Sequence, residues 1–484
     1  MQYPGFLAGA RPWRACGVFA LSAAIGLVGC AQLPQTGPQA DAKPLDRYRT
    51  ASSLPVSTAT WPSEQWWTAY GDAQLDQLID EALEDSPSLA AASARLRRSE
   101  AFGKIAGAAL LPQISANASI SEQKLSYNNI IPKDFTPQGW NDYGQATLDF
   151  SWELDFWGKN RAALAAATSQ VEAARAEAAQ ARLDLATAVA STYADLARLF
   201  AERDTVADST EVRRKTVELF AQRYANGLET LASLDQAKAR LAASEGELLA
   251  LDEHIGLTRN RIAALLGAGP DRGLAIQRPQ IRLDDGRGLP ADLPANLIGR
   301  RPDIAVARRI AEAQASRIRQ KEAEFYPNVN LSAFIGVQSL GLDLLTKSDS
   351  SMGGIGPAIS LPIFTGGRLR GELSGARAGY DEAVANYNGA VTRALEEVAS
   401  AGLSQAALSA QTAKAEEAVR AAGEAHRIVR NRYEGGLANY IEVLYAQDTL
   451  LASQRNLAVI QSRAFALDVS LKHALGGGYQ NPNT

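Results

Sequence analysis

Hydrophobic and polar residues change rhythm along this chain in a fixed order, and that order occurs twice. A helical stretch opens at Pro87, with Ser86 suited to the N-cap and proline tolerated in the first turn, and it stops before Pro112. Pro302 and Pro327 bracket a second such stretch. Strict alternation follows the first. Ile114, Ala116, Ala118 and Ile120 oppose Gln113, Ser115, Asn117 and Ser119, and Leu148, Phe150, Trp152 and Leu154 oppose Thr147, Asp149, Ser151 and Glu153. A period of two predicts strands with one apolar and one polar face. In the second half Val329, Leu331, Ala333 and Ile335 alternate with Asn328, Asn330 and Ser332. A fourth strand is expected near 355–361, where Gly356 and Pro357 interrupt it.

The rhythm then lengthens. Residues 159–226 contain neither proline nor glycine, and as one helix they reach roughly 100 Å. Leu164, Val171, Ala178, Leu185, Thr192, Leu199, Val206 and Phe220 share one seven-residue register, with Val189, Leu196, Val217 and Tyr224 four residues along it. That is a heptad seam and predicts antiparallel coiled-coil pairing. After Gly227 a second helix runs back to about Leu266. The copy spans about Arg370 to Glu434 and Asn439 to Leu475, with no proline between Pro362 and Pro482.

The two halves are a duplication. Pro87 and Pro112 recur as Pro302 and Pro327, a shift of 215 positions; the turn Arg223-Tyr224-Ala225-Asn226-Gly227-Leu228 recurs as Arg432-Tyr433-Glu434-Gly435-Gly436-Leu437, a shift of 209. Each unit reads helix, strand, strand, long helix, helix.

Composition changes the picture at the N-terminus. Arg11 and Arg14 precede a short apolar stretch from Val18 to Val28, too short for a comfortable transmembrane helix, and Leu27-Val28-Gly29-Cys30 follows. The segment resembles a bacterial lipoprotein signal, which implies cleavage before Cys30, lipid on its sulfur and, with Ala31 next, release to the outer membrane. A plain secretory signal cut elsewhere is the other reading. Without residues 1–29 the formal charge goes from -4 to -6, which argues against nucleic acid as a partner. The mature chain holds no cysteine besides Cys30, so it has no internal disulfide and no cysteine nucleophile. His254, His426 and His473 lie far apart in helical stretches with no metal-ligand spacing, and neither a Gly-x-Ser-x-Gly nor a P-loop sequence is present. An enzyme is not expected, and no cofactor beyond the Cys30 lipid.

The alternating strands permit two placements: a soluble sandwich, or a membrane barrel whose apolar face meets lipid and whose acidic face lines water. Four strands cannot close a barrel, and an open edge in lipid is untenable, so a membrane placement requires several chains.

The mature chain resembles the TolC-like outer-membrane factors, in particular the NodT/OprM-type lipoproteins that serve resistance–nodulation–division pumps. The resemblance rests on Trp66-Trp67-Thr68-Ala69-Tyr70-Gly71-Asp72, on Trp152-Glu153-Leu154-Asp155-Phe156-Trp157-Gly158-Lys159, on Leu361-Pro362-Ile363-Phe364-Thr365-Gly366-Gly367-Arg368, and on both Arg-Tyr-x-x-Gly-Leu turns. It implies a mainly α fold with a membrane β-barrel portion, in which three copies contribute four strands each to a barrel of twelve and long helices form an α-barrel in the periplasm. The expected divisions are a signal peptide (1–29), a lipid-anchored N-terminal and equatorial segment (30–72), repeat 1 (73–269), an equatorial linker (270–300), repeat 2 (301–475) and a tail (476–484).

The resemblance further implies that the two turns form the periplasmic aperture and the docking surface for a periplasmic membrane-fusion adaptor: Arg223, Tyr224, Asn226, Gly227 and Leu228, then Arg432, Tyr433, Gly435, Gly436 and Leu437. Glu442 falls where some relatives carry an aperture aspartate, and its repeat counterpart is Ser233. Ala438 stands where several relatives carry a charge, while Glu229 keeps an acid in the first repeat. Three glutamates converging on a pore would favour cations; a solvated helix-surface glutamate is the other reading of Glu442. The expected function is the passive outer-membrane exit duct of a tripartite efflux system, exporting small molecules and drugs driven by an inner-membrane pump. A duct for type I protein secretion, or a periplasmic coiled-coil lipoprotein without a pore, are the alternatives.

Overall fold

In a computed structural model of the chain, residues 34, 37–50, 52, 60–128, 130, 132–283, 289–290 and 293–480 are described. The signal segment and Cys30 lie outside them. Among the described residues, thirteen α-helices and β-strands follow one another: α1 (Ala73–Asp85), α2 (Pro87–Ala108), β1 (Gln113–Gln123), β2 (Asn141–Leu154), α3 (Lys159–Ala225), α4 (Leu231–Leu265), the short α5 (Pro270–Leu274), α6 (Leu293–Arg300), α7 (Pro302–Ala323), β3 (Asn328–Leu340), β4 (Ser351–Ser360), α8 (Arg368–Glu434) and α9 (Tyr440–Ala474). Both long helices are 67 residues, and both returning helices are 35.

The spacing predicts the first helix at Pro87, and the structure adds α1 ahead of it. Its signal is present in the sequence: Leu75, Leu78, Ile79 and Ala82 fall at helical spacing and are all buried. Asp72 caps it by accepting from the amides of Gln74 and Leu75. The preceding Trp66–Tyr70 turn buries Trp66, Trp67 and Tyr70.

The chain divides into two compact units. The first joins Arg98–Glu172, Arg308–Ala385 and the described part of Met1–Asp41. Its centre is one antiparallel sheet in the order β1-β2-β3-β4. Asn117 stands opposite Thr147, Leu148 opposite Ile335, and Ala333 opposite Ile355. The proline that interrupts the expected fourth strand sits within β4, opposite Leu331. Proline has no N–H to donate, so β4 lacks one ladder donor at this position. Ile318, Phe325, Leu369 and Leu373 form this unit's own apolar cluster.

The second unit joins Ala42–Arg97, Ala173–Ala307 and Asn386–Thr484. The heptad register of α3 is its core: Leu185, Val189, Leu196, Leu199 and Val206 are buried with Leu251, Ile255 and Ile262 of α4 and with Phe465 and Val469 of α9. A second cluster sets Leu293, Leu297 and Ile304 against Ala390, Val391, Ala394 and Val398 of α8. Small residues at these α8 positions let helices approach closely, which is the use the chain makes of its alanines.

Candidate functional site

Two features bear on function, the faces of the sheet and the turns between long helices. One face carries Ile114, Ala116, Ala118 and Ile120 on β1, and Ala146, Leu148, Phe150 and Trp152 on β2. It continues with Leu331, Ala333, Ile335 and Val337 on β3, and Gly353, Ile355, Pro357 and Ile359 on β4. No charge falls among these positions, and the face ends in two acids that stand opposite each other, Glu122 and Asp142; Ile114, Ile120, Leu148, Ile335, Ile355 and Ile359 are exposed. The opposite face carries Asp149, whose carboxylate accepts from Thr147 at 2.7 Å and Asn117 at 2.8 Å. Glu153, on the same face, pairs with Lys159. No described helix is long and apolar enough to cross a membrane. Among the described residues the sheet carries a continuous bare apolar surface.

The turns are built alike. At the end of α3 the amide of Leu228 donates to the Arg223 carbonyl at 2.8 Å, and that of Gly227 to the Tyr224 carbonyl at 3.0 Å. At the end of α8 Leu437 donates to Arg432 at 2.7 Å and Gly436 to Tyr433 at 3.0 Å. Each is a Schellman cap closed by a left-handed glycine, with φ 69° at Gly227 and 72° at Gly436. Side chains reinforce both: the amide of Asn226 donates to the Gln222 carbonyl, and Arg432 donates to the Leu437 carbonyl. The amide of Gly435 donates to Asn431. The residue after a Schellman glycine usually packs back on its own helix. Here Leu228 and Leu437 are 65% and 75% exposed, and Tyr224 also faces outward.

Past each glycine the chain re-enters a helix under a polar cap. Thr230 accepts from the Ser233 amide at α4. At α9, Asn439 accepts from the Glu442 amide, and the Glu442 carboxylate accepts from the Asn439 amide, a reciprocal capping box. Glu442 is thus solvent-exposed and engaged in the cap.

The two hairpins are joined near these turns. The Tyr433 hydroxyl donates to Glu229 at 3.4 Å; Arg223 lies 3.9 Å from the same carboxylate and 5.3 Å from the Tyr433 ring centre. Burial pushes the Tyr433 hydroxyl up, with Glu229 adding and Arg223 opposing, so it stays a proton donor. Phe220, fully buried, meets the Tyr440 ring at 4.0 Å, and Tyr440 meets Tyr433 at 5.3 Å. Deeper in, Asp448 of α9 binds Arg213 of α3 at 3.1 Å and Arg240 of α4 at 3.4 Å. This bridge is missing from the sequence reading, although its signal is there: Arg213 occupies the seam register that Val206 and Phe220 share, a charge where an apolar residue belongs. Neighbouring irregularities in the seam are paired as well, Thr210 with Ser244 at 2.6 Å and Arg203 with Asp252 at 2.6 Å.

The Trp66–Asp72 motif has a positioning role. Tyr70 donates to Asp468 at 2.7 Å, and burial raises its hydroxyl far above the ordinary range. Asp72, besides capping α1, accepts from Tyr193 at 2.8 Å and from the Gln280 amide at 2.7 Å. Of the histidines, His473 pairs with Asp184 at 3.0 Å.

A bare, lipid-compatible strand face joined to paired helical hairpins defines an outer-membrane channel protein. The family model for outer membrane efflux proteins matches residues 78–268 and 293–477, and the chain belongs to that family. It is 30% identical to the multidrug resistance outer membrane protein MdtP of Escherichia coli (strain K12), over 93% of this chain and 94% of the relative. It is 36% identical to the fusaric acid resistance protein FusA of Burkholderia cepacia, over 74% of this chain and 68% of the relative. The crystal structure of the outer membrane protein VceC from Vibrio cholerae superposes with a TM-score of 0.83 at 51% identity, covering 87% of this chain and all of that one (100%). The family is one of efflux channels rather than enzymes, and this chain is an outer-membrane efflux duct.

Proposed function

We propose that three copies of the chain assemble into one passive export duct, lipid-anchored through Cys30, that takes small molecules and drugs from an inner-membrane resistance–nodulation–division pump through a periplasmic membrane-fusion adaptor. The observation that carries this reading is the sheet: four strands with one exposed face that is apolar along most of its length, and two outer strands, β1 and β4, each of which has a strand partner on one edge only among the described residues. In hydrocarbon every backbone N–H and C=O needs a partner, and an open sheet leaves a row of them unpaired at each edge. Pairing β1 of one copy with β4 of the next removes both edges, and twelve strands close. The polar face with Asp149 and Glu153 then lines water.

In this reading the exposed Leu228 and Leu437 offer apolar knobs to the adaptor. The bridges Tyr433–Glu229 and Asp448 to Arg213 and Arg240 hold the two hairpins of a chain together in the resting state. Opening requires the hairpins to separate, and adaptor binding is the step that loosens them. The fusaric acid and multidrug resistance relatives support small-molecule export as the cargo class.

The test is conductance of the purified protein in planar bilayers, with its oligomeric mass measured in parallel. A trimer giving small discrete steps is the expected result. A monomer without conductance overturns the proposal.

A further inference from the structure

A groove in the first unit stands apart from the pore and the turns. The described end of the N-terminal segment, Pro34 and Gly37–Gln39 (37–39), lies against the first turns of α8 and encloses about 460 Å³ with Arg370, Leu373, Ser374, Arg377, Ala378 and Asp381. At its far end the Ala40 amide donates to Asp381 at 3.0 Å. These α8 positions recur every three or four residues, so they form one face of the helix.

The groove has two arginines and an incomplete set of partners for them. Arg377 donates to Glu322 at 3.2 Å through one terminal nitrogen, while its Nε is buried with no hydrogen-bond partner. Arg370 is exposed and makes no ion pair or hydrogen bond among the described residues. The neighbouring cations behave differently: Arg368 pairs with Glu372, and Lys321 with Glu324 and Glu372. Asp381, the acid of the groove, is engaged by the Ala40 amide.

Beside this cationic groove the chain exposes hydrocarbon. Ile363 and Phe364, between β4 and α8, are 78% and 90% exposed, and Phe156 and Trp157, between β2 and α3, are 64% and 52% exposed. All four strand ends that lead to helices lie at the same end of the sheet, since Leu154 stands opposite Val329 and Asn328 opposite Ser360. These exposed side chains therefore follow the strands at the end of the sheet where α8 and its arginines begin. Bare hydrocarbon next to two arginines suits an amphiphile whose head is an anion.

We infer that this groove holds the headgroup of an anionic phospholipid, its phosphate on Arg370 and Arg377 and its acyl chains over Ile363 and Phe364. Guanidinium groups bind phosphate through paired N–H donors, and a basic pocket at membrane depth is a recurring lipid headgroup site. The inference rests on the membrane placement of the sheet. That placement sets the helix-bearing end of the strands at the inner leaflet, where phospholipid is the available anion.

The test uses the purified full-length protein in discs containing equal amounts of phosphatidylglycerol and phosphatidylethanolamine. Lipids retained after mild detergent extraction are counted by native mass spectrometry. The wild type is expected to retain phosphatidylglycerol preferentially, and Arg370→Gln, a substitution at an exposed unpaired residue, to weaken that retention about fivefold. Phe364→Ser should reduce retention of both lipids. Equal retention of the two by the wild type, or an unchanged preference in Arg370→Gln, overturns the inference. Channel conductance measured on the same samples separates this outcome from failure of the duct itself: a conducting protein with no lipid preference sinks the site alone.

Discussion

Gly227 and Gly436 hold their turns open by backbone conformation alone, because a Cβ built at either would meet no atom within 4 Å. Alanine at 436 would have to keep φ at 72°, a left-handed conformation that costs roughly 1–2 kcal/mol for a residue with a Cβ. Gly436→Ala should therefore loosen the α8 cap and speed hydrogen exchange of the Leu437 amide, while Gly435→Ala, still on the helical side of the cap, should leave it unchanged or slower. Equal exchange in both variants would contradict the cap. Glu442 separates charge from structure. Glutamine at 442 retains the oxygen that accepts from the Asn439 amide and removes the charge. Glu442→Gln is expected to shift reversal potential away from cations with tip stability intact, whereas Glu442→Ala should lose both. A reversal potential unmoved in Glu442→Gln would leave Glu442 a capping residue only. The turn residues were legible because the motif repeats; the capping role of Glu442 was not, since it depends on which residue ends the loop.

Among the elements, strands were legible wherever large apolar and polar residues alternate, as in β2, and faint where glycines replace side chains, as in β4. α1 went unread because Ser86-Pro87 restarts the helical pattern immediately after it, so two helices look like one boundary. The register of β3 places Ile335 on the apolar face and Ser332 on the other. Ile335→Arg should then cost about 2–4 kcal/mol in a lipid-facing barrel and lower the yield of folded protein, while Ser332→Arg folds. Equal yields would favour a water-facing sheet. Between α7 and α8, hydrogen bonds from Lys321 and Arg368 hold the Glu372 carboxyl at about 2, down from its ordinary 4.5. A depressed folded-state value means the bridge contributes fully above pH 4.5 and is lost as pH falls toward 2. Glu372→Gln should therefore lower thermal stability near neutrality and flatten its decline across that acid window. A wild-type slope retained by the variant would mean other carboxylates dominate the acid response.

For the whole molecule, the property that matters for transport is the one a single chain cannot complete. The repeats, the seam and the strand faces follow from side-chain periodicity within one sequence, and so could be read there; the proposed pairing of β1 with β4 would join different copies and leave no periodic trace. It is also where the duct is most directly testable. Asn117 of β1 lies on the polar face, as do Met352, Gly356 and Ala358 of β4. Directly paired residues bring their Cβ atoms to about 4.5–5.5 Å, within small backbone adjustment of a disulfide. Cysteine at 117 combined in turn with cysteine at 352, 356 or 358 samples alternative registers along the seam between copies. Because the sequence has only two cysteines, Cys16 and Cys30, both far from the strands in sequence, new disulfides report on that seam. In a closed ring every copy donates one β1 and one β4, so the matching pair should yield a covalent trimer on oxidation, with no larger species and with conductance preserved. A ladder extending past three would mean that the strands add without closing. Absence of cross-links at all three registers would mean that the outer strands do not meet, and with them would go the barrel.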